Sequence, residues 1–176
     1  MSRRAIAALL AALLLVAGCG TSSATSTDSS SISGVELERA ASRKHTEAKV
    51  AYSGKKPPSG GDHYPLPLTC GAYSEQPPDE VAVHSLEHGA VWIAYSPDLD
   101  AASIQKLRAN AKQPKVIVSP YAGLDAPVVL VAWEHRLEVQ SADDPRIQQL
   151  IDAYGNGKVA PEPNAACFGI GRPDAL

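Results

Sequence analysis

The residues most able to do chemistry lie in one short segment, His84-Ser85-Leu86-Glu87-His88-Gly89. Two imidazoles at positions i and i+4 of a helix lie on the same face, roughly 6 Å apart, and can bind one metal ion. On an extended strand the same side chains would be about 13 Å apart and could not share an ion. His84 and His88 are therefore candidate metal ligands, provided that the segment is helical or tightly turned.

A glycine-rich segment upstream, 60–63 (GGDH), supplies a third histidine. Glycines let the backbone approach a site closely. His63, His84 and His88, with Glu87 beside them, would form a site that suits zinc or copper, because imidazole binds both metals. The alternative is that these histidines belong to a structural network of hydrogen bonds.

The segment 84–88 also matches HxxEH, a pattern in which both histidines bind zinc and the glutamate is the general base. Glu87 would then activate a zinc-bound water. The pattern fixes only three positions and needs a further ligand, for which Glu134, Glu138 and Glu162 are available. A zinc-dependent hydrolase is therefore the third interpretation, after metal binding and a structural role.

Local patterns predict the elements that would position these residues. Residues 33–36 (SGVE) match a capping box, which predicts a helix running to about residue 48, with His45 near its end. Residues 53–79 are rich in glycine and proline, and a loop of this length inside a compact domain is usually functional. A short helix is expected over 80–88, ended by Gly89.

The chain after residue 89 alternates between strand and helix signals. Apolar β-prone runs, such as 90–95 and 128–133, predict strands. Two helices are expected after Asp100 and after Asp144-Pro145. The order predicts an α+β fold, in which helices pack on one face of a small, mostly antiparallel sheet.

The first residues indicate export. Arg3 and Arg4 precede an apolar run from Ala5 to Val16, which is too short for a stable membrane anchor and fits a signal peptide. The residues at 16–19 (VAGC) resemble a lipobox, which implies cleavage before Cys19 and its acylation, with palmitate as the typical chain. The alternative is an ordinary secreted protein in which Cys19 is a spare thiol.

We therefore expect a lipoprotein signal peptide at 1–18 and a lipidated cysteine with a Ser/Thr-rich tether at 19–33. A single globular domain would follow at 34–176. A low apolar content makes the tether a flexible spacer. This organisation places the protein on the outer face of the bacterial cytoplasmic membrane, held through Cys19.

Two further cysteines, Cys70 and Cys167, remain for the domain. An exported chain is in an oxidising compartment, where paired thiols normally form a disulfide. A bridge between them would join the C-terminal segment to the start of the core. Two free thiols, or a metal site that uses one of them, are the alternatives.

Composition excludes several classes of function. The 176 residues are 44% hydrophobic, which suits one folded domain, and the formal net charge is −3. The absence of a basic excess argues against a nucleic-acid partner. The sequence has no phosphate-binding glycine loop, no CxxC pair and no GxSxG nucleophile motif.

Taken together, several segments resemble the bacterial domain of unknown function 3105 family. The resemblance covers about residues 45–170 and is carried by CGAY at 70–73, PDE at 78–80, VHSLEHGAV at 83–91, SPY at 119–121 and SADDP at 141–145. It implies a secreted or membrane-tethered protein. It also makes the HSLEHG segment and the GGxH loop family signatures, although it assigns no catalytic residue.

Our first hypothesis is an extracytoplasmic, lipid-anchored protein that binds zinc or copper through His63, His84, Glu87 and His88. The alternative is a non-catalytic cell-envelope interaction module with structural histidines, whose protein partner the sequence does not identify. Such a module should expose an apolar or aromatic patch, for which the candidates are Tyr52, Tyr64 and Tyr73.

Overall fold

The computed structural model describes residues 32–176. The expected signal peptide, Cys19 and all but the last two residues of the tether lie outside the described residues, so their assignments stay predictions. Within the part of the chain that is described, no helix has the length and apolar character needed to cross a bilayer.

The described chain forms six strands and three α-helices. The strands are β1 (Val35–Leu37), β2 (Gly71–Ala72), β3 (Val91–Tyr95), β4 (Val116–Pro120), β5 (Val128–Ala132) and β6 (His135–Val139). The helices are α1 (Asp79–Glu87), α2 (Ala101–Ala109) and α3 (Arg146–Tyr154), and short 3₁₀ turns follow α2 and α3.

All six strands belong to one mixed sheet in the order β1-β6-β5-β3-β4-β2. The pairs β1–β6, β6–β5 and β5–β3 are antiparallel. The pairs β3–β4 and β4–β2 are parallel. The predicted α+β class and the mostly antiparallel sheet are therefore confirmed.

The helices cover both faces of the sheet, so the prediction that they pack on one face is wrong. Val91 and Ile93 alternate with Trp92 and Ala94 along β3, and the two pairs belong to separate apolar clusters. Helices α2 and α3 pack on the first cluster, and α1 packs on the second. The central strands are apolar on both sides, and each side must be buried.

The predicted helix over 33–48 is also absent. Residues 35–37 instead form β1, an edge strand in which Glu36 pairs with Arg136 of β6. The thin apolar stripe of this segment offers a helix little to bury, and short helices depend on tertiary packing. Between β1 and β2 the described chain has no helix or strand, and the glycine and proline content predicts this for residues 53–70 of the stretch.

Arg136 holds this irregular region against the sheet. Its buried guanidinium donates from Nε to Glu38 Oε1 at 2.7 Å and from Nη1 to the Lys56 carbonyl at 3.0 Å. Nη2 donates to the carbonyl of Pro57. One side chain therefore anchors the loop at both ends of the stretch 38–57.

The C-terminal segment is attached by the predicted disulfide. Cys70 and Cys167 are bridged, with their Cα atoms 5.4 Å apart and 97 positions apart in the chain. The backbone N–H of Cys70 also donates to the carbonyl of Cys167 at 3.1 Å. The bridge places residues 160–167 beside the end of α1.

Removal of this disulfide should destabilise the protein, because the unfolded chain would gain conformational entropy that the bridge now removes. We expect the double variant Cys70→Ser/Cys167→Ser to lose about 2–4 kcal/mol of unfolding free energy, measured by urea denaturation. Reduction of the wild-type protein should give the same loss. An unchanged midpoint in both experiments would contradict a stabilising role.

Candidate metal centre

Helix α1 carries two of the four sequence-predicted ligands, His84 and Glu87, and a third, His88, caps its C-terminal end. Asp79 and Glu80 lie in its first turn, where carboxylates complement the helix dipole. The chain leaves the helix at Gly89, whose φ is +87°. A Cβ at this position would overlap the backbone of Gly157, so only glycine fits. The helix brings His84 and His88 together, as the i, i+4 spacing predicts.

Two loop segments bring histidines to α1 from the other side. The His63 N–H donates to the Lys44 carbonyl at 3.0 Å, and the Thr46 N–H donates to the His63 carbonyl at 2.8 Å. This parallel bridge places His45 beside His63. The Asp62 carboxylate accepts from the Lys44 N–H at 2.8 Å and fixes the same bridge.

The imidazoles of His45, His63 and His84 form a nearly equilateral triangle, with all three ring-centroid distances at 4.8 Å. With Glu87, they offer four ligand atoms that all lie within 4.8 Å of one another. We call these four residues the inner set. His63, His84 and Glu87 are buried, whereas the His45 side chain is 47% exposed and connects the set to solvent.

Backbone carbonyls orient three of the rings. Nδ1 of His63 lies 2.8 Å from the Gly61 carbonyl oxygen, Nδ1 of His84 lies 2.6 Å from that of Tyr64, and Nδ1 of His88 lies 2.8 Å from that of Ala166. A carbonyl oxygen only accepts, so each Nδ1 carries the proton. A neutral ring in this state has its free electron pair at Nε2, as in metal-binding histidines.

The electrostatics favour the neutral ring at His84. Burial lowers the pKa of His84, and the neighbouring histidines lower it further. The hydrogen bond to the Tyr64 carbonyl raises this pKa, but burial is the larger effect. His84 therefore keeps an electron pair available for a metal ion at neutral pH.

With Nδ1 protonated, two pairs of buried side-chain atoms face each other without a hydrogen bond between them. Nε2 of His84 and Nε2 of His88 lie 3.0 Å apart, and two free electron pairs cannot form a hydrogen bond. Nε2 of His63 lies 2.9 Å from Oε2 of Glu87, yet the alignment is not that of a hydrogen bond. Both atoms of this second pair are buried without a hydrogen-bond partner among the described residues.

Glu87 is a buried carboxylate with few compensating contacts. Arg43 Nη1 is 3.5 Å from Oε1, and His45 Nε2 is 3.5 Å from Oε2. Burial of a carboxylate costs several kcal/mol unless close ion pairs or hydrogen bonds offset it. A bound divalent cation would supply that compensation.

The inner set fits the requirements of zinc or copper. Imidazole nitrogen and carboxylate oxygen bind zinc at about 2.0–2.2 Å, so two ligands of one tetrahedral ion are about 3.3–3.6 Å apart. The widest pair of the inner set, within 4.8 Å, must therefore close by a little over ~1 Å, which side-chain rotation can supply. Three imidazoles and one carboxylate also suit copper.

The structure brings together His63, His84 and Glu87 as predicted, and it adds His45. His88 lies on the other side of His84, next to Glu162, with 3.5 Å between His88 Nε2 and Glu162 Oε2. Sequence reasoning missed His45 because it placed this residue at the end of a helix. Pairing between distant loop segments brings His45 to the site, and no local spacing rule reports such a contact.

The other carboxylates considered for a metal lie elsewhere. Glu134 accepts from the Ala40 N–H at 2.9 Å, and Glu138 lies 3.7 Å from Lys55. Of the three downstream carboxylates, only Glu162 contacts a histidine of the cluster.

Comparison with known proteins identifies the family. A family model described as "Protein of unknown function (DUF3105)" matches residues 43–169. The chain belongs to this family. The matched region of this DUF3105 protein contains the inner set, His88 and Glu162, and both cysteines of the disulfide. Neither a curated protein nor a solved structure gives a significant match.

The hydrogen bonds to the carbonyls predict the protonation of the rings. In the metal-free protein we expect ¹⁵N NMR to show a protonated Nδ1 at His63, His84 and His88, because each Nδ1 donates to a carbonyl. Addition of Zn²⁺ should shift the Nε2 resonances of the ligands and leave Nδ1 protonated. An unprotonated Nδ1 at any of these residues would contradict the arrangement.

Proposed function

We propose that this protein binds one transition-metal ion, zinc or copper, through His45, His63, His84 and Glu87. The observation that carries the proposal is the pair of buried atoms without hydrogen-bond partners, His63 Nε2 and Glu87 Oε2, that face each other at 2.9 Å. Buried polar groups are almost always satisfied in folded proteins. An ion coordinated by both atoms would satisfy them together.

We further propose that the protein acts outside the cytoplasm as a lipoprotein anchored through Cys19. The charged, apolar and small residues at 3–19 support this location. The disulfide between Cys70 and Cys167 supports it independently, because structural disulfides persist in oxidising compartments. The role would then be to bind or carry metal near the membrane surface.

Metal binding accounts for the geometry better than hydrolysis does. Four protein ligands leave no open position, whereas catalytic zinc sites keep one for water. Glu87, the base of an HxxEH hydrolase, faces His63 and Arg43. A surface cavity of about 610 Å³ is lined by residues 47–50, Tyr64 and 76–81, and not by the cluster histidines.

An interaction module with structural histidines is the second candidate. Of the predicted aromatic candidates, Tyr73 is buried and Tyr52 and Tyr64 are half-buried. Among the described residues the exposed large apolar side chains are instead Leu37, Leu66, Phe168, Ile170 and Leu176, of which Phe168 is the most exposed at 78%. This candidate predicts no tight metal binding, so one titration separates the two functions.

We expect one Zn²⁺ or Cu²⁺ per chain in a calorimetric titration of the Cys19→Ser protein, which lacks the thiol outside the domain. His63→Gln and His84→Gln should each weaken binding by more than about 100-fold, the upper cost of losing a residue that merely supports a ligand. The matched control is His135→Gln, since His135 Nδ1 also bonds a carbonyl, that of Trp133, at 2.7 Å.

The same titration can contradict the proposal. Dissociation constants weaker than about 0.1 mM for both metals would leave the histidines with a structural role. Equal loss of affinity in His135→Gln would show that binding depends on a histidine outside the inner set.

Lipid attachment has its own test. In a bacterial host the wild-type protein should sediment with the membrane fraction and incorporate labelled palmitate. Cys19→Ser should lose the label and its retention by the membrane, because the proposed acyl chain attaches to the sulfur of this cysteine. Cys70→Ser is the matched control for loss of a cysteine. Unlabelled wild-type protein in the soluble fraction would contradict anchoring at Cys19.

A further inference from the structure

His84 lies between two groups of possible ligands. On one side is the inner set, with ring centroids of His45 and His63 at 4.8 Å from that of His84. On the other side is His88, whose ring centroid is 4.5 Å from that of His84. His84 Nε2 lies 3.0 Å from His88 Nε2, which in turn lies 3.5 Å from Glu162 Oε2.

The surroundings of His88 hold it in place. Its Nδ1 donates to the Ala166 carbonyl, and its own carbonyl accepts from Lys115 Nζ at 2.8 Å. Lys115 Nζ also donates to the Pro163 carbonyl at 2.8 Å, and the Glu162 N–H donates to the Glu87 carbonyl at 3.0 Å. The segment that carries Glu162 is therefore fixed against the end of α1 and is not a free tail.

We propose that His84, His88 and Glu162 form a second, outer position for the metal ion, through which the ion is loaded into the inner set. This inference rests on the proposed metal-binding function. His84 belongs to both positions, and its Nε2 has one electron pair. The two positions are therefore occupied in turn, and the stoichiometry stays at one ion per chain.

The exposed fraction of the side chains decreases from Glu162 through His88 to His63. The Glu162 side chain is 47% exposed, that of His88 is 10% exposed, and that of His63 is fully buried. A hydrated ion can exchange its first water for the Glu162 carboxylate without entering the protein. Exchange onto His88 and His84 then removes further water before the ion reaches the buried Glu87 carboxylate.

His45 offers a competing route, because its side chain is also 47% exposed. Arg43 lies on that side, with Nη1 3.5 Å from Glu87 Oε1, and its positive charge opposes the approach of a cation. At the outer position Glu162 presents a negative charge to solvent. Lys115 Nζ also lies near this position, but it is held by two backbone carbonyls, whereas Arg43 Nη1 faces the Glu87 carboxylate itself. The Glu162 carboxylate therefore favours loading past His88.

The test is the rate of Cu²⁺ binding, followed by quenching of tryptophan fluorescence in a stopped-flow instrument. Trp133 is a suitable reporter because its ring centroid lies 6.0 Å from that of His63. The variants are His88→Gln, which can still donate to the Ala166 carbonyl, and Glu162→Gln on the surface. The matched controls are His135→Gln and the exposed Glu75→Gln.

We expect both rate constants, kon and koff, to fall together by about tenfold in His88→Gln and Glu162→Gln, because loading and release of the ion both pass through the outer position. The Kd, which is their ratio, should stay within a factor of about three, because the final ligands are intact. The controls should bind at the wild-type rate, with one ion per chain throughout.

Three results would overturn the inference. Unchanged rates in both variants would leave loading to the His45 side. A Kd weakened as much as in His63→Gln would make His88 a ligand of the final site. Two Cu²⁺ per chain would exclude a shared His84. Failure of the wild-type protein to bind Cu²⁺ would instead contradict the proposed function itself, so the two failures are distinguishable.

Discussion

The Nδ1–H groups of His63, His84 and His88 donate to backbone carbonyls, and the chemistry of the site follows from these three hydrogen bonds. Once Nδ1 is occupied, each ring can offer only Nε2 to the centre of the cluster. The carbonyls belong to the irregular loop and the C-terminal segment, which lie far from α1 in the chain. The loop, the anchoring Arg136 and the disulfide therefore all serve to keep imidazole electron pairs pointing at one another.

This arrangement is costly without a cation. Buried electron pairs that face each other and a buried carboxylate oxygen without a hydrogen bond both oppose folding. A proton shared by two rings would relieve only part of this cost, because Glu87 Oε2 would still need a partner. A metal ion bonded to Glu87, His63 and His84 supplies a partner for Glu87 Oε2 as well, and its binding energy would add to the stability of the fold.

Local signals in the sequence predicted α1, the disulfide, most of the strands and three residues of the inner set. Each of these follows from spacing over a few residues or from the counting of cysteines. Two features failed because they depend on distant contacts. Residues 33–48 favour a helix locally, yet pairing with β6 converts their start into β1. The bridge between His45 and His63 joins loop segments that share no periodic pattern.

The central claim is that one metal ion lies among His45, His63, His84 and Glu87. The most direct test is X-ray diffraction from crystals of the zinc-loaded protein, recorded at the zinc absorption edge. The account predicts one strong anomalous peak per chain, within about 2.0–2.2 Å of Nε2 of His63 and His84 and of a Glu87 oxygen. A peak confined to exposed carboxylates, or no peak at the cluster, would contradict it.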